Sequence, residues 1–325
     1  MLTSALLIIV GFILLIKGAD FLVYGASSVA KKFHIPEIII GLTIVSIGTS
    51  FPELFVSLAS ELNGSSDMVI GNVIGSNLNN LLLILGLSTT IRPVKFQRET
   101  RLIENPICII ITAIFIMFCN TSGEISKYEA LILIIVFILF IIYTIIMSKK
   151  GEQFDKEDTT IKEDTTTDAQ TEIQHFSIVK SLLAIFLGAI ALKIGGDLTV
   201  KNATSIARMI NISEKIISLT ILAIGTSLPE LVTGITATIR GSSDIAIGNI
   251  IGSNIFNILL IIGISGLISP ITYNFTYNTQ IGVLLFATIL LSLFSVIPPK
   301  NEMSRLNGVL YLIIYIIYTV FLFIT

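Results

Sequence analysis

The chain has 325 residues, 53% of them hydrophobic and 13% charged, with a mean hydropathy of +0.92 and a formal net charge of −2. Soluble domains carry about 25% charged residues, and nucleic-acid binders need a basic surface to neutralise phosphates. This balance excludes both a water-soluble globular enzyme and a nucleic-acid-binding protein, and the chain reads as an integral membrane protein.

In chain order, apolar runs predict transmembrane helices over 3–30, 37–60, 66–90, 102–119, 127–148, 177–207, 213–239, 243–268, 280–297 and 304–324. A bilayer core of ~30 Å is crossed by ~20 such residues. The first run, from Leu6 to Ile16, has no basic residue before it and no small-residue cleavage pattern after it. It therefore reads as a span and not as a cleaved signal. Cys108 and Cys119 share one apolar run and would sit ~16 Å apart along a helix, beyond the ~7 Å that a disulfide tolerates. They read as packing residues. His34 and His175 fall in separate polar connections, so no zinc or haem site is expected.

Between the fifth and sixth spans, residues 149–176 are polar, carry eight acids after Lys150 and show no apolar period. They read as a solvated, flexible cytoplasmic linker. A weak regulatory cation site is the alternative, although no EF-hand spacing is present. The linker divides the chain into a first five-helix unit, 1–148, and a second, 177–325. Sliding the sequence by 177 residues superposes 41–88 on 218–265 with 27 identities in 48 positions and no gap. Gly, Ser, Asp, Asn and Pro do not match in register through shared apolar composition alone. The chain is a repeat. Five spans per copy make the second copy enter from the opposite side, the inverted topology of secondary transporters. With both termini outside, Lys31, Lys32, Arg92, Lys95, Arg98, Arg101, Lys149, Lys150, Lys156, Lys162, Arg240, Lys300 and Arg305 fall on inner connections. That satisfies the positive-inside rule for a multi-pass protein of the cell membrane.

The chemistry lies in GTSFPEL at 48–54 and GTSLPEL at 225–231, each in mid-span. Proline cannot donate to the carbonyl four residues earlier, so Pro52 frees the carbonyl of Gly48 and Pro229 that of Gly225. A broken helix with free carbonyls is tolerated in a membrane only where it lines a cavity. Glu53 and Glu230 follow Thr49 and Thr226 by one turn and share their face. A carboxylate at that depth is costly and marks function. A neutral Glu serving as a packing hydrogen bond is the bland alternative, and its duplication on two broken helices argues against it. The second element is GNVIGSNLNN at 71–80 and GNIIGSNIFN at 248–257. At a spacing of four, Asn72, Ser76 and Asn80 form one polar stripe, as do Asn249, Ser253 and Asn257. Interhelical packing suits Asn72 and Asn249, whereas Ser76, Asn80, Ser253 and Asn257 are expected to face the glutamates as ligands.

Two carboxylates, two amide carbonyls, four hydroxyls and backbone carbonyls form an all-oxygen set that suits hard cations such as Ca²⁺ and Na⁺. No thiolate or imidazole is present for softer metals. One Ca²⁺ cancels two carboxylates, and so do sodium ions, so the two should compete for shared ligands. The empty charged site resists desolvation, which is the behaviour an exchanger needs.

The paired GTSxPE and GSNxxN motifs in a five-plus-five layout resemble the cation/calcium exchanger superfamily, and within it the sodium/calcium exchangers in compact microbial form. The resemblance covers nearly the whole chain. It implies an all-α membrane protein of ten transmembrane helices as two inverted five-helix repeats, with spans one and six sliding across an eight-helix core. It also implies electrogenic exchange of three sodium ions for one calcium, with these ions as substrates and no cofactor. Calcium would be held by Glu53, Glu230 and the backbone oxygens of Thr49 and Thr226. Sodium would add Ser50, Ser227, Ser76 and Ser253, with Asn80 and Asn257 completing the middle. Potassium-dependent exchangers carry an aspartate where this chain has Asn257, which argues against potassium co-transport. The proton/calcium branch carries a GNxxE-type motif in place of GTSxPE, which argues against proton coupling. The large calcium-sensing domains of animal exchangers have no counterpart in the short linker.

Lys17 with Asp20, and Lys193 with Asp197, are spaced as ion pairs on single helix faces. Asp67 and Asp244, in GSSD, read as N-terminal caps. An ion channel with Glu53 and Glu230 as its filter and an intramembrane hydrolase using them as acid and base are the competing classes. Neither explains the duplicated broken helices and asparagine–serine stripes.

Overall fold

A computed structural model describes residues 2–158, 178–210, 223–297 and 301–324. Among the described residues the fold is helical, apart from four strands of two residues each. The long helices are α1 (Leu2–Lys32), α4 (Ser66–Ile91), α5 (Thr100–Thr121), α6 (Lys127–Asp158), α7 (Ile178–Met209), α10 (Ser243–Ile268), α11 (Phe275–Val296) and α12 (Arg305–Ile324). These eight are long and apolar enough to span a membrane. The pair α2 (Glu37–Thr49) and α3 (Phe51–Leu62), bent by 46° at its junction, makes a ninth. The predicted span 213–239 is described only as α8 (Ala223–Thr226) and α9 (Leu228–Ile239), because 211–222 lie outside the described residues. Helix α6 runs past the expected end at 148 into the polar segment. The Glu, Lys and Gln there are good helix formers, and extending an existing helix avoids the cost of nucleation. The rest of the predicted linker, 159–176, lies outside the described residues.

Helices α1 and α7 cross in antiparallel contact along a small-residue stripe with heptad spacing. Gly11, Gly18 and Gly25 face Gly195, Gly188 and Ser181 in turn. A Cβ on Gly188 would stand 2.7 Å from the Gly18 carbonyl oxygen, and one on Gly195 2.7 Å from that of Gly11. Backbones approach this closely in a membrane only where side chains are absent or small. The outward faces of this pair carry exposed Phe12, Ile13, Leu183 and Phe186, apolar surface that lipid can cover.

Beneath the pair lies the core. Every residue of α10 from Ile245 to Phe256 is buried. Val69, Ile70, Val73, Ile74 and Leu78 of α4 pack with Ile247, Ile250, Ile251 and Ile255 of α10 in one apolar cluster. Cys108 and Cys119 are free and buried there, as their spacing requires. The connections are tied across the molecule. Strand β1 (Val94–Lys95) pairs antiparallel with β4 (Glu302–Met303), and β2 (Glu124–Ile125) with β3 (Ile271–Thr272). Each ladder joins one copy to the other.

Candidate functional site

The break in each copy has the same backbone. Ser50 sits at φ −87°, ψ 5° between α2 and α3, and Ser227 at φ −87°, ψ 9° between α8 and α9. Each proline lies in the first turn of the following helix, where its missing N–H costs nothing. The chain therefore restarts as a helix at Phe51 and at Leu228, and places Glu53 and Glu230 in the first turn. A carboxylate is favoured there by the positive end of the helix dipole.

These two first turns bring the predicted residues together. Glu53 and Glu230 are each 1% exposed and close enough for their charges to oppose one another. Ser50 Oγ donates to Glu230 Oε1 across the copies at 3.0 Å, and Thr49 also approaches that carboxylate. Thr226 and Ser76 approach Glu53. Even so, both oxygens of Glu53, Oε2 of Glu230, Oδ1 of Asn80 and of Asn257, and the hydroxyls of Ser227 and Ser253 are buried without a hydrogen-bond partner among the described residues. Buried oxygens left unsatisfied cost about 1–3 kcal/mol each, so such a concentration demands an explanation. All seven belong to residues that the sequence singles out, and nearly all are acceptors of the kind a hard cation needs.

The asparagines predicted as packing residues do bridge helices. Asn72 Nδ2 donates to the Glu53 carbonyl at 3.1 Å and to Ser57 Oγ at 2.9 Å, which ties α4 to the broken helix. Asn249 Oδ1 accepts from Thr49 Oγ1 at 3.1 Å.

A cavity of about 1140 Å³ reaches this cluster from one side. Its inner wall includes Pro52, Asn72, Ser76, Thr226 and Pro229, and its rim Asp67, Arg208 and Tyr277. An ion pair joins α1 to the end of α9. Asp20 Oδ1 accepts from Arg240 Nη2 at 2.6 Å and from Nε at 3.0 Å, and Ser27 Oγ lies 3.4 Å from Ser242 Oγ nearby. The expected Lys17–Asp20 pair is therefore corrected. Local spacing cannot reveal a partner 220 residues away that offers a two-point guanidinium contact. The Lys193–Asp197 pair is present at 2.7 Å. The cap assignment is corrected too. Ser65 and Ser242 occupy the N-cap positions, neither with a side-chain cap bond, while Asp67 and Asp244 stand in the first turns. Asp244 Oδ2 accepts from Gln97 Nε2 at 2.6 Å.

Two features escaped the sequence reading. Asn77 and Asn254 cross-bond the copies behind the site, and their repetition at the 177-residue shift was the available signal. The heptad glycine stripe between α1 and α7 was legible from Gly11, Gly18 and Gly25 alone.

Comparison with known proteins agrees with this geometry. The family model described as sodium/calcium exchanger protein matches residues 3–146 and 180–324. The sodium/calcium exchanger MaX1 of Methanosarcina acetivorans is 32% identical, covering 98% of each chain. The inner membrane protein YrbG of Escherichia coli is 34% identical over 90% of this chain and 89% of its own length. Structures of the sodium-calcium exchanger NCX_Mj superpose with a TM-score of 0.82 at 29% identity, covering 98% of both chains. The chain belongs to the sodium/calcium exchanger family.

Proposed function

We propose that this protein is a secondary antiporter that exchanges Na⁺ for Ca²⁺ by alternating access, electrogenically, with three sodium ions moving against one calcium and without potassium. The observation that carries the reading is the set of seven buried side-chain oxygens, unpartnered among the described residues, drawn from both copies and including those of Glu53 and Glu230, beside a cavity lined by Ser76 and Thr226. Calcium is bound by Glu53 and Glu230 with the backbone oxygens of Thr49 and Thr226. Sodium is bound by those groups with Ser50, Ser227, Ser76 and Ser253, and Asn80 and Asn257 close the middle of the site. One divalent ion or a set of sodium ions neutralises the carboxylates. The unneutralised site is held from closing by the cost of burying uncompensated charge.

Ten spans arranged as two inverted repeats complete the reading. Support comes from contacts that recur with the copies exchanged: β1–β4 against β2–β3, and Gly18–Gly188 against Gly195–Gly11. With the N-terminus outside, the cavity rim at Asp67 and Tyr277 faces out and the Asp20–Arg240 pair faces in. The test is calcium-45 uptake into sodium-loaded proteoliposomes diluted into sodium-free medium, with potassium or a pH gradient substituted in parallel. Sodium-driven uptake that makes the interior more negative, with no potassium requirement, supports the reading. A potassium requirement would move the protein toward the sodium/potassium/calcium exchangers, of which the rat exchanger 1 is 34% identical over 43% of this chain. No uptake under any gradient would overturn it.

A further inference from the structure

Behind the site, four asparagines form a reciprocal circuit whose bonds determine which end of each amide faces the ions. Asn77 Nδ2 donates to the Asn254 backbone carbonyl at 3.2 Å, and Asn254 Nδ2 reaches the Asn77 carbonyl at 3.5 Å. A backbone carbonyl only accepts, so these two contacts fix the orientation of both amides. The Oδ1 atoms of Asn77 and Asn254 must then point the other way. There, Asn77 Oδ1 accepts from Asn257 Nδ2 at 2.9 Å and Asn254 Oδ1 accepts from Asn80 Nδ2 at 3.0 Å. With their amino groups held, Asn257 and Asn80 have their Oδ1 atoms facing away from the circuit, and both are buried without a partner among the described residues. Asn77 is fully buried and Asn254 is 1% exposed, so no solvent competes for these bonds.

We propose that Asn77 and Asn254 are positioning residues that hold the carbonyl oxygens of Asn257 and Asn80 toward the transported cation, each copy orienting the ligand of the other. The proposal rests on the exchanger reading for the identity of the ion, but the orientation argument applies to any cation at the site. An amide free to turn would present its N–H₂ end to a cation, which replaces attraction by repulsion. A carboxylate at the same position has two equivalent oxygens and needs no orientation. That difference separates positioning from mere structural support.

The test uses the full chain as wild type, Asn77→Ala, Asn257→Asp and the double variant. Ca²⁺ binding to purified protein is read by calorimetry, and the half-saturating Ca²⁺ and maximal rate of exchange are read in proteoliposomes. Outer-shell residues of metal sites contribute about 10–100-fold to affinity. Asn77→Ala should weaken Ca²⁺ binding at least tenfold, with the loss in half-saturation exceeding the loss in maximal rate. In the Asn257→Asp background the same change should cost less than threefold. Equal losses in both backgrounds, or no loss in the single variant, would overturn the proposal. Asn254→Ala paired with Asn80→Asp repeats the cycle should Asn77→Ala fail to fold. Failure of sodium-driven exchange in the wild type, with the calorimetric cycle intact, would overturn the transport reading and leave the positioning role standing.

Discussion

The two copies of the site are nearly equal in sequence and unequal in surroundings. Their helix breaks differ by a few degrees at Ser50 and Ser227. Yet the Ser50 hydroxyl is bonded to Glu230 while that of Ser227 is buried without a partner among the described residues. Helix α10 is enclosed from Ile245 to Phe256, whereas the equivalent stretch of α4 opens Gly71, Asn72, Gly75 and Ser76 onto the large cavity. Asp20 reaches across to Arg240 on α9, whereas its counterpart Asp197 pairs along its own helix with Lys193. The position equivalent to Arg240 is Asn63, which offers no charge. The candidate ligands are therefore repeated in both copies, whereas the ion pairs that the α1–α7 pair makes differ between them.

Several changes would break or sharpen this comparison. The largest effect is expected from Glu53→Gln and Glu230→Gln. If the copies contribute equally, each should lower calcium-45 exchange by more than about 100-fold, beyond the 10–100-fold typical of outer-shell changes. A variant that still exchanges would make one copy dominant. Next, Gly18→Leu should wedge α1 from α7, since even a Cβ there would stand 2.9 Å from the Gly188 carbonyl oxygen. Overpacking of this kind costs about 1–3 kcal/mol, to be read as a lower unfolding midpoint in detergent, and Gly195→Leu should match it. Breaking the Asp20–Arg240 pair should be milder, because exposed ion pairs are worth about 0.2–1 kcal/mol. Arg240→Gln should shift the balance between the two open states by up to about fivefold, measured as cysteine accessibility from each side. Asn63→Arg, which gives Asp197 an equivalent partner, should shift it the opposite way. The smallest effect belongs to Lys193→Ala, since a pair at i,i+4 on an exposed helix face contributes about 0.3–0.5 kcal/mol. Its unfolding midpoint should stay close to that of the wild type.

Much of the site was legible because its signals are local and duplicated. A proline three residues after each GT pair dictates a break, and a stripe at spacing four dictates a face. The structure brings Glu53, Glu230, Ser50 and Ser76 together and buries Asn80 and Asn257. What was not legible depends on which helix crosses which. Asn77 lies off the Asn72–Ser76–Asn80 stripe and looks idle until Asn254 is seen opposite it. Asp20 has a plausible partner in Lys17 three residues away, and only the packing of α1 against α9 brings Arg240 nearer. The π-turns at Asn79–Leu85 and Asn257–Ile261 also escaped, because one extra residue in a helical turn leaves no mark on an apolar pattern. Such bulges are frequent at functional sites.

The reciprocal contacts have an architectural consequence. Asn77 touches Asn254 as Asn254 touches Asn77. Likewise, β1 meets β4 as β3 meets β2. This is the signature of an isologous interface, the kind that joins two identical subunits about a twofold axis. The core of this protein is thus organised as a dimer interface sealed inside one polypeptide. Each half carries only part of the proposed ligand set. A chain severed within residues 159–176 should assemble from two co-expressed halves and transport as one, whereas either half alone should not.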